Sequence, residues 1–169
     1  MTAPTAQRTF MKDVIELYRV IDSSTDGQAS VIGIDGMRVT VSLRPKSGCN
    51  AHAEFLITVK VFHTSHCTFI NGSPLYPRIS PNVTVNTPIY HPNIDPHSGS
   101  PCISILSDWR SCYSLLDLVK AFLYLIDHPI FDSPSHPFGV PLDNVHLAKK
   151  SARLLAGLPV NGLRYPPNS

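Results

Sequence analysis

The chain has 169 residues, a formal net charge of +2 and 43% hydrophobic residues, the make-up of one domain with enough apolar side chains for a core. Charged residues make up 15%, against about 25% in an average soluble domain, so the charge balance alone points to neither a nucleic-acid nor a membrane surface. Sixteen prolines, seven of them from Pro74 to Pro101 and four from Pro129 to Pro141, exclude a coiled coil or long helical bundle, because each removes a backbone donor and clashes with the preceding turn.

In chain order, the first expected element is a helix. Phe10, Val14, Leu17, Tyr18 and Ile21 recur on one helical face, Arg8, Lys12 and Arg19 lie largely off it, and the polar run Asp22 to Gly27 stops it. Val31 to Ile34 and Met37 to Leu43 flank Asp35-Gly36, a hairpin signal. Phe55, Ile57, Val59 and Val61 alternate with Glu54, Leu56, Thr58 and Lys60 as a third strand, and Asn82 to Val85 suits a short fourth. Short links between consecutive strands predict an antiparallel meander. Pro88 to Ser111 reads as irregular chain pinned down by Tyr90, Ile94, Ile103, Ile105, Leu106 and Trp109, and an ordered loop of that length is usually functional. Ser114 caps a second helix, apolar over most of its circumference from Leu115 to Ile126, which ends at His128-Pro129. Asp143 caps a third, running through Leu158 with Gly157 near its stop and Lys149, Lys150 and Arg153 on the wet side. This order defines an α+β domain.

No apolar run approaches the ~20 residues of a membrane span, and Met1 to Gln7 lacks the basic-then-apolar order of a secretory signal. Cys49, Cys67, Cys102 and Cys112 therefore read as free thiols of a reducing compartment, which gives the cytoplasm, the nucleus or both as the expected location.

The long loop concentrates the chemistry. Tyr90-His91-Pro92-Asn93-Ile94 is followed by Gly99, then by Cys102-Ile103-Ser104-Ile105-Leu106 and Trp109. A thiolate can act as a nucleophile or carry an acyl group as a thioester, and a nearby carboxamide can donate to an oxyanion. Taken alone, a cysteine is more often an inert core residue than a nucleophile. His63-x-x-His66-Cys67 could form part of a metal site, but its spacing indicates no fourth ligand, so a solvated loop is the better reading and no metal is assigned.

The order of these residues resembles the ubiquitin-conjugating enzyme family, whose signature is Tyr-His-Pro-Asn, then Gly, the acceptor Cys, an aliphatic residue, Ile-Leu and Trp. Tyr76-Pro77 and Pro81-Asn82-Val83 look like the family's lead-in, and Pro129, Asp132 and Pro134 like its proline-rich stretch after the central helix. The resemblance implies the ubiquitin-conjugating fold: N-terminal helix, four-stranded antiparallel meander, long Pro-rich active-site loop, central helix and C-terminal helix. It also implies a flexible N-terminus over 1–6, a catalytic domain over 7–158 and a C-terminal tail over 159–169.

The implied activity is acceptance of ubiquitin or a ubiquitin-like modifier from an activating enzyme as a thioester on Cys102, then transfer to a substrate lysine. No cofactor, ATP or metal enters this step, because the thioester already holds the activation energy, and neither nucleic acid nor membrane is an expected partner. Asn93 would steady the oxyanion or the loop that bears it, and His91 would lock that loop rather than act as a base. Arg8, Lys12 and Arg19 would help dock the activating enzyme.

Several positions depart from the family pattern. The Asn93-to-Cys102 gap is one residue longer, with Pro101 directly before the thiol. Ser133 stands where an acidic residue often places the incoming lysine, and Asp132 beside it is a candidate substitute. Arg78 and Ser111 occupy ligase-facing loops where RING-type ligases usually meet an exposed apolar residue and a proline. Ile94-Asp95 and Asp108-Trp109 look more like the neddylation and sumoylation branches than the commonest ubiquitin-type members. The alternative is a catalytically impaired variant of the same fold that binds a modifier or partner.

Overall fold

The computed structural model describes residues 5–61, 76–131 and 143–168. Helix α1 spans Thr5–Ser24, so it takes in two residues expected to precede the domain. Its buried stripe is Ala6, Phe10, Val14, Leu17 and Ile21. Tyr18, expected on that face, is 65% exposed. At 100° per residue it falls about 40° beyond the edge of the stripe, and its hydroxyl favours the wet side. Thr25 ends the helix by donating its hydroxyl to Ile21 O (2.6 Å) and accepting from Ala29 N (3.1 Å), and Asp26 and Gly27 then turn through positive φ.

Strands β1 (Ala29–Asp35), β2 (Arg38–Leu43), β3 (Phe55–Lys60) and β4 (Asn82–Val85) pair antiparallel in the order β1-β2-β3-β4, the expected meander. The first hairpin turns on Gly36-Met37, one residue later than the Asp-Gly signal suggests, because Asp35 still pairs with Arg38. The β1–β2 register shifts between Val31 and Gly33, which leaves Ile32 as an exposed bulge. Val39, Val41, Leu43, Phe55, Ile57, Val59, Val83 and Val85 form the inner face, buried against α1 and α3.

The irregular stretch contains one helical turn, α2 (Ser104–Ser107), not anticipated from the sequence. Prolines are dense up to Pro101, and their absence from the next 27 residues is what permits it. Helix α3 (Leu115–Asp127) starts in a reciprocal capping box: Ser114 Oγ accepts from Asp117 N (3.1 Å), and Asp117 Oδ2 accepts from Ser114 N (2.8 Å). It buries Leu115, Leu118, Val119, Phe122, Leu125 and Ile126, while Tyr124 faces solvent.

Helix α4 (Asn144–Leu155) is capped by Asp143 and stops three residues before Leu158. Gly157 takes φ +71°, with Leu158 N bonded to Arg153 O and Gly157 N to Leu154 O, a pair of bonds that closes the last turn. Beyond it, residues 159–168 fold back on the domain. Val160 joins Tyr90, Leu147 and Leu154 in a second, smaller core against which Cys49, Phe131, Leu155 and Tyr165 pack.

Candidate active site

The Tyr90-to-Asn93 segment is held from below. Tyr90, His91 and Asn93 are each no more than 2% exposed. His91 Nδ1 accepts from Asn93 N (3.1 Å), which places the ring proton on Nε2, and Nε2 donates to Leu125 O on α3 (2.8 Å). Both ring nitrogens thus tie the loop to itself and to the central helix. Burial pushes the Tyr90 phenol up, so it remains a neutral hydroxyl in the small core.

Asn93 uses its side chain as a two-point clasp on the segment that follows α3. Its Nδ2 donates to Ile130 O (2.9 Å), and its Oδ1 accepts from Ile130 N (2.8 Å). Its backbone carbonyl meanwhile accepts from Cys102 N (2.7 Å). One residue therefore links the thiol-bearing segment to the post-helix segment.

Between Asn93 and Cys102 the chain makes a tight excursion. Ile94 bridges Pro101, Asp95 N donates to Ser100 O and Gly99 N to Asp95 O, both at 2.8 Å, and Asp95 Oδ1 accepts from His97 N and Ser98 N. This closed turn brings the chain back so that Cys102 N–H meets Asn93 O. Its side chain is exposed.

Gly99 is the tight point of that turn. It sits at φ +69°, its carbonyl accepts from Val85 N at 2.8 Å, and a Cβ there would collide with Val85 O. Gly99→Ala is expected to cost at least ~2 kcal/mol, since the left-handed conformation and a backbone clash both oppose it. The same change at Gly36, also left-handed but with nothing within 4 Å, is expected to cost about 1 kcal/mol. Denaturant unfolding of the two variants reads the difference.

Trp109 fixes the neighbouring loops. Its indole N–H donates to Pro77 O (2.8 Å), and its ring lies 6.3 Å from Tyr76 and 5.8 Å from Tyr113. Tyr76 in turn packs edge-on against Phe10 and donates its hydroxyl to Asp13 on α1. Desolvation first, and that carboxylate second, push the Tyr76 phenol well above its ordinary value, so it stays a donor. This packing joins the loops bearing Arg78 and Ser111, both exposed, to α1. Arg8, Lys12 and Arg19 are exposed on α1, where they line a shallow depression with Met11, Ile15 and Glu16.

Asp132, Ser133, His63, His66 and Cys67 lie outside the described residues. Among the described residues, no three His, Cys, Asp or Glu side chains converge as a metal site, and no helix is long and apolar enough to cross a membrane. No sequence pattern pointed to Ile130, because it enters through backbone groups that every residue carries. Nor did any pattern suggest Ser151, buried on α4, whose hydroxyl donates to Tyr90 O (3.3 Å).

Comparison with known proteins meets this geometry at the same loop. Residues 65–140 match the family model for the ubiquitin-conjugating enzyme. The matched stretch includes Tyr90, Asn93, Cys102 and Trp109, and there the chain is similar to the ubiquitin-conjugating enzyme family. Among its relatives, the NEDD8-conjugating enzyme Ubc12 of Arabidopsis thaliana is 30% identical over 122 residues, 70% of this chain and 60% of that protein, so the match spans less than two thirds of the relative's length. The ubiquitin-conjugating enzyme E2 PEX4 of Gibberella zeae is 43% identical over 60 residues, 35% of each chain. In structure, S. cerevisiae Ubc12 superposes with a TM-score of 0.79 at 18% identity, covering 99% of this chain and 88% of that one, a likeness of fold.

Proposed function

We propose that the chain is a conjugating enzyme that carries a ubiquitin-like modifier as a thioester on Cys102 and delivers it to a lysine, and that the modifier is of the NEDD8 type. The observation that carries the reading is the exposed Cys102 thiol, whose backbone N–H is bonded to the buried, clasped Asn93. The relatives named as NEDD8-conjugating enzymes, together with the Ile94-Asp95 and Asp108-Trp109 pairs, favour that modifier.

In the loading step, Cys102 Sγ attacks the carbonyl carbon of the modifier's C-terminal thioester on the activating enzyme. A new S–C bond forms, the activating enzyme's thiolate leaves, and the proton lost by the Cys102 thiol returns to that leaving sulfur. In the transfer step, a neutral lysine amine attacks the same carbonyl, an isopeptide C–N bond forms, Cys102 leaves as thiolate, and the amine's surplus proton passes to solvent or to a nearby base. Asn93 acts on transfer by fixing the loop: its amide is turned toward Ile130, which supports a loop-holding role over direct oxyanion donation. Asp132 and Ser133 are assigned to reception of the lysine. Arg8, Lys12 and Arg19 are assigned to the activating enzyme, and the loops of Arg78 and Ser111 to a ligase. A free thiol suits this chemistry in the reducing cytoplasm or nucleus.

Parallel loading reactions test the choice of modifier. The chain is incubated with ATP and NEDD8, ubiquitin or a SUMO-type modifier, each with its own activating enzyme. Thioester formation with the NEDD8 pair is expected to exceed the others by about tenfold, a barrier difference of ~1.4 kcal/mol. Faster loading with ubiquitin would sink the NEDD8 assignment while leaving the carrier role standing.

A further inference from the structure

The second core has one wall in the active-site loop and the opposite wall in the C-terminal segment. Tyr90, two residues before Pro92-Asn93, packs with Leu147 and Leu154 of α4 and with Val160, which is 1% exposed. Phe131, directly after the clasped Ile130, packs against the same cluster, as do Leu155 and Tyr165. The two strands of the clasp therefore share a hydrophobic floor: Asn93 and Ile130 are bonded side chain to backbone, and their neighbours Tyr90 and Phe131 meet the same core.

What closes that floor is the segment 159–168, beyond the residues that match the family model. Val160 and Leu163 bridge each other, and Arg164 Nε donates to Gly157 O (2.9 Å). Asn168 ends the strap. Its backbone N–H donates to Leu155 O (2.9 Å), its Nδ2 to Glu54 O (2.7 Å), and its Oδ1 accepts from Glu54 N (3.0 Å). Glu54 lies just before β3, past the point where β4 pairs with it, so the Asn168 amide extends the ladder by one residue. Such a two-point bond to a sheet edge is a specific attachment, because both an amide donor and an amide acceptor are used.

We propose that this strap is a positioning element for the active site: Val160 and Asn168, acting through the small core, hold the Asn93–Ile130 clasp and so set the rate of transfer from Cys102 without affecting loading. Loss of the Val160 γ-methyls leaves a void beneath Tyr90 and Phe131, and loss of the Asn168 donor frees the end of the strap. Either loosens the floor while leaving the thiol and the α1 face untouched. The inference deepens the proposed conjugating function, and its transfer half rests on it.

The decisive variants are Val160→Ala and Asn168→Asp, with Val160→Ile as the conservative rescue and Val39→Ala in the main core as a stability control. Hydrogen exchange at the Ile130 amide, the group donated to Asn93 Oδ1, reads the clasp in the protein alone. Exchange there is expected to rise about tenfold in Val160→Ala and about fivefold in Asn168→Asp, each a loss of order one packing or hydrogen-bond contribution. It is expected to stay near wild type in Val160→Ile and Val39→Ala. Discharge of the preloaded Cys102 thioester to free lysine is expected to fall by similar factors in the first two variants, with loading rates within about twofold. Unchanged exchange at Ile130 overturns the inference, as does faster exchange with undiminished discharge, or an equal loss of discharge in Val39→Ala. A wild-type chain that accepts no modifier counts against the conjugating function instead, and the exchange data still decide whether the strap holds the clasp.

Discussion

Replacing Cys102 by alanine is expected to abolish the covalent adduct with the modifier, and replacing it by serine to convert a thiol-sensitive adduct into a thiol-resistant one. The reasoning is chemical. A serine alkoxyl in the same place can receive the acyl group, but an oxyester is not cleaved by thiol exchange, and an oxyester is a poorer donor to lysine than a thioester. Cys102 is exposed, but so is Cys112, and Cys49 is half-buried, so exposure alone does not single out the nucleophile. Among the cysteines of the described residues, Cys102 is set apart by its backbone: its N–H is bonded to Asn93 O, within a loop fixed by His91, Gly99 and the Ile94–Pro101 bridge. Cys112→Ser and Cys49→Ser are accordingly expected to load within about twofold of wild type. Intact mass with and without reductant reads all four variants, and an adduct that moves with Cys112 rather than Cys102 would displace the assigned nucleophile.

Asn93→Ala is expected to separate the two half-reactions and to cost stability as well. The substitution removes both arms of the clasp and leaves Ile130 N–H and C=O without their partners in a partly buried place. At roughly 1–3 kcal/mol for a buried polar group left unmet, a net loss of about 2 kcal/mol is expected. In a domain of this size that lowers the melting midpoint by about 4–8 °C. Loading, which draws on the exposed thiol and the α1 face and not on the clasp, is expected to stay within about threefold, whereas transfer to lysine is expected to fall about 10- to 100-fold, since it needs the loop and the post-helix segment in fixed relation. Asn93→Asp keeps the acceptor for Ile130 N–H but sets a carboxylate against Ile130 O, so it is expected to lie close to alanine in stability. Single-turnover discharge and thermal unfolding of the two variants measure this. A fully stable Asn93→Ala that still transfers slowly would return the amide to a direct oxyanion role.

Local chemistry made most of the elements legible. The apolar period of α1 and α3, the Ser114 and Asp143 caps and the alternation in β3 each rest on interactions within a few residues, and each stands in the structure where the residues put it. The misses share a cause. Tyr18 sits at the rim of a stripe whose width depends on the sheet beneath it, and the hairpin turn shifted by one residue because cross-strand pairing, not the Asp-Gly pair alone, fixes the register. Helix α4 ends at Leu155 rather than Leu158 because Gly157, at positive φ, is the C-terminal stop itself. Within the site, the motif pointed to Cys102, Asn93 and His91 as a group but could not show what they touch. Ile130 contributes backbone atoms, and Val160 meets Tyr90 across 70 positions of sequence, a contact no local pattern encodes.

The central claim is that Cys102 carries a modifier as a thioester. Its most direct measurement is the intact mass of the wild-type chain after incubation with ATP, NEDD8 and the NEDD8-activating enzyme, recorded before and after treatment with thiol. The account predicts a gain of one modifier less one water, mapped to the peptide containing Cys102 and reversed completely by thiol. A chain that gains no mass with any modifier and its activating enzyme, or whose adduct persists in thiol, would contradict it.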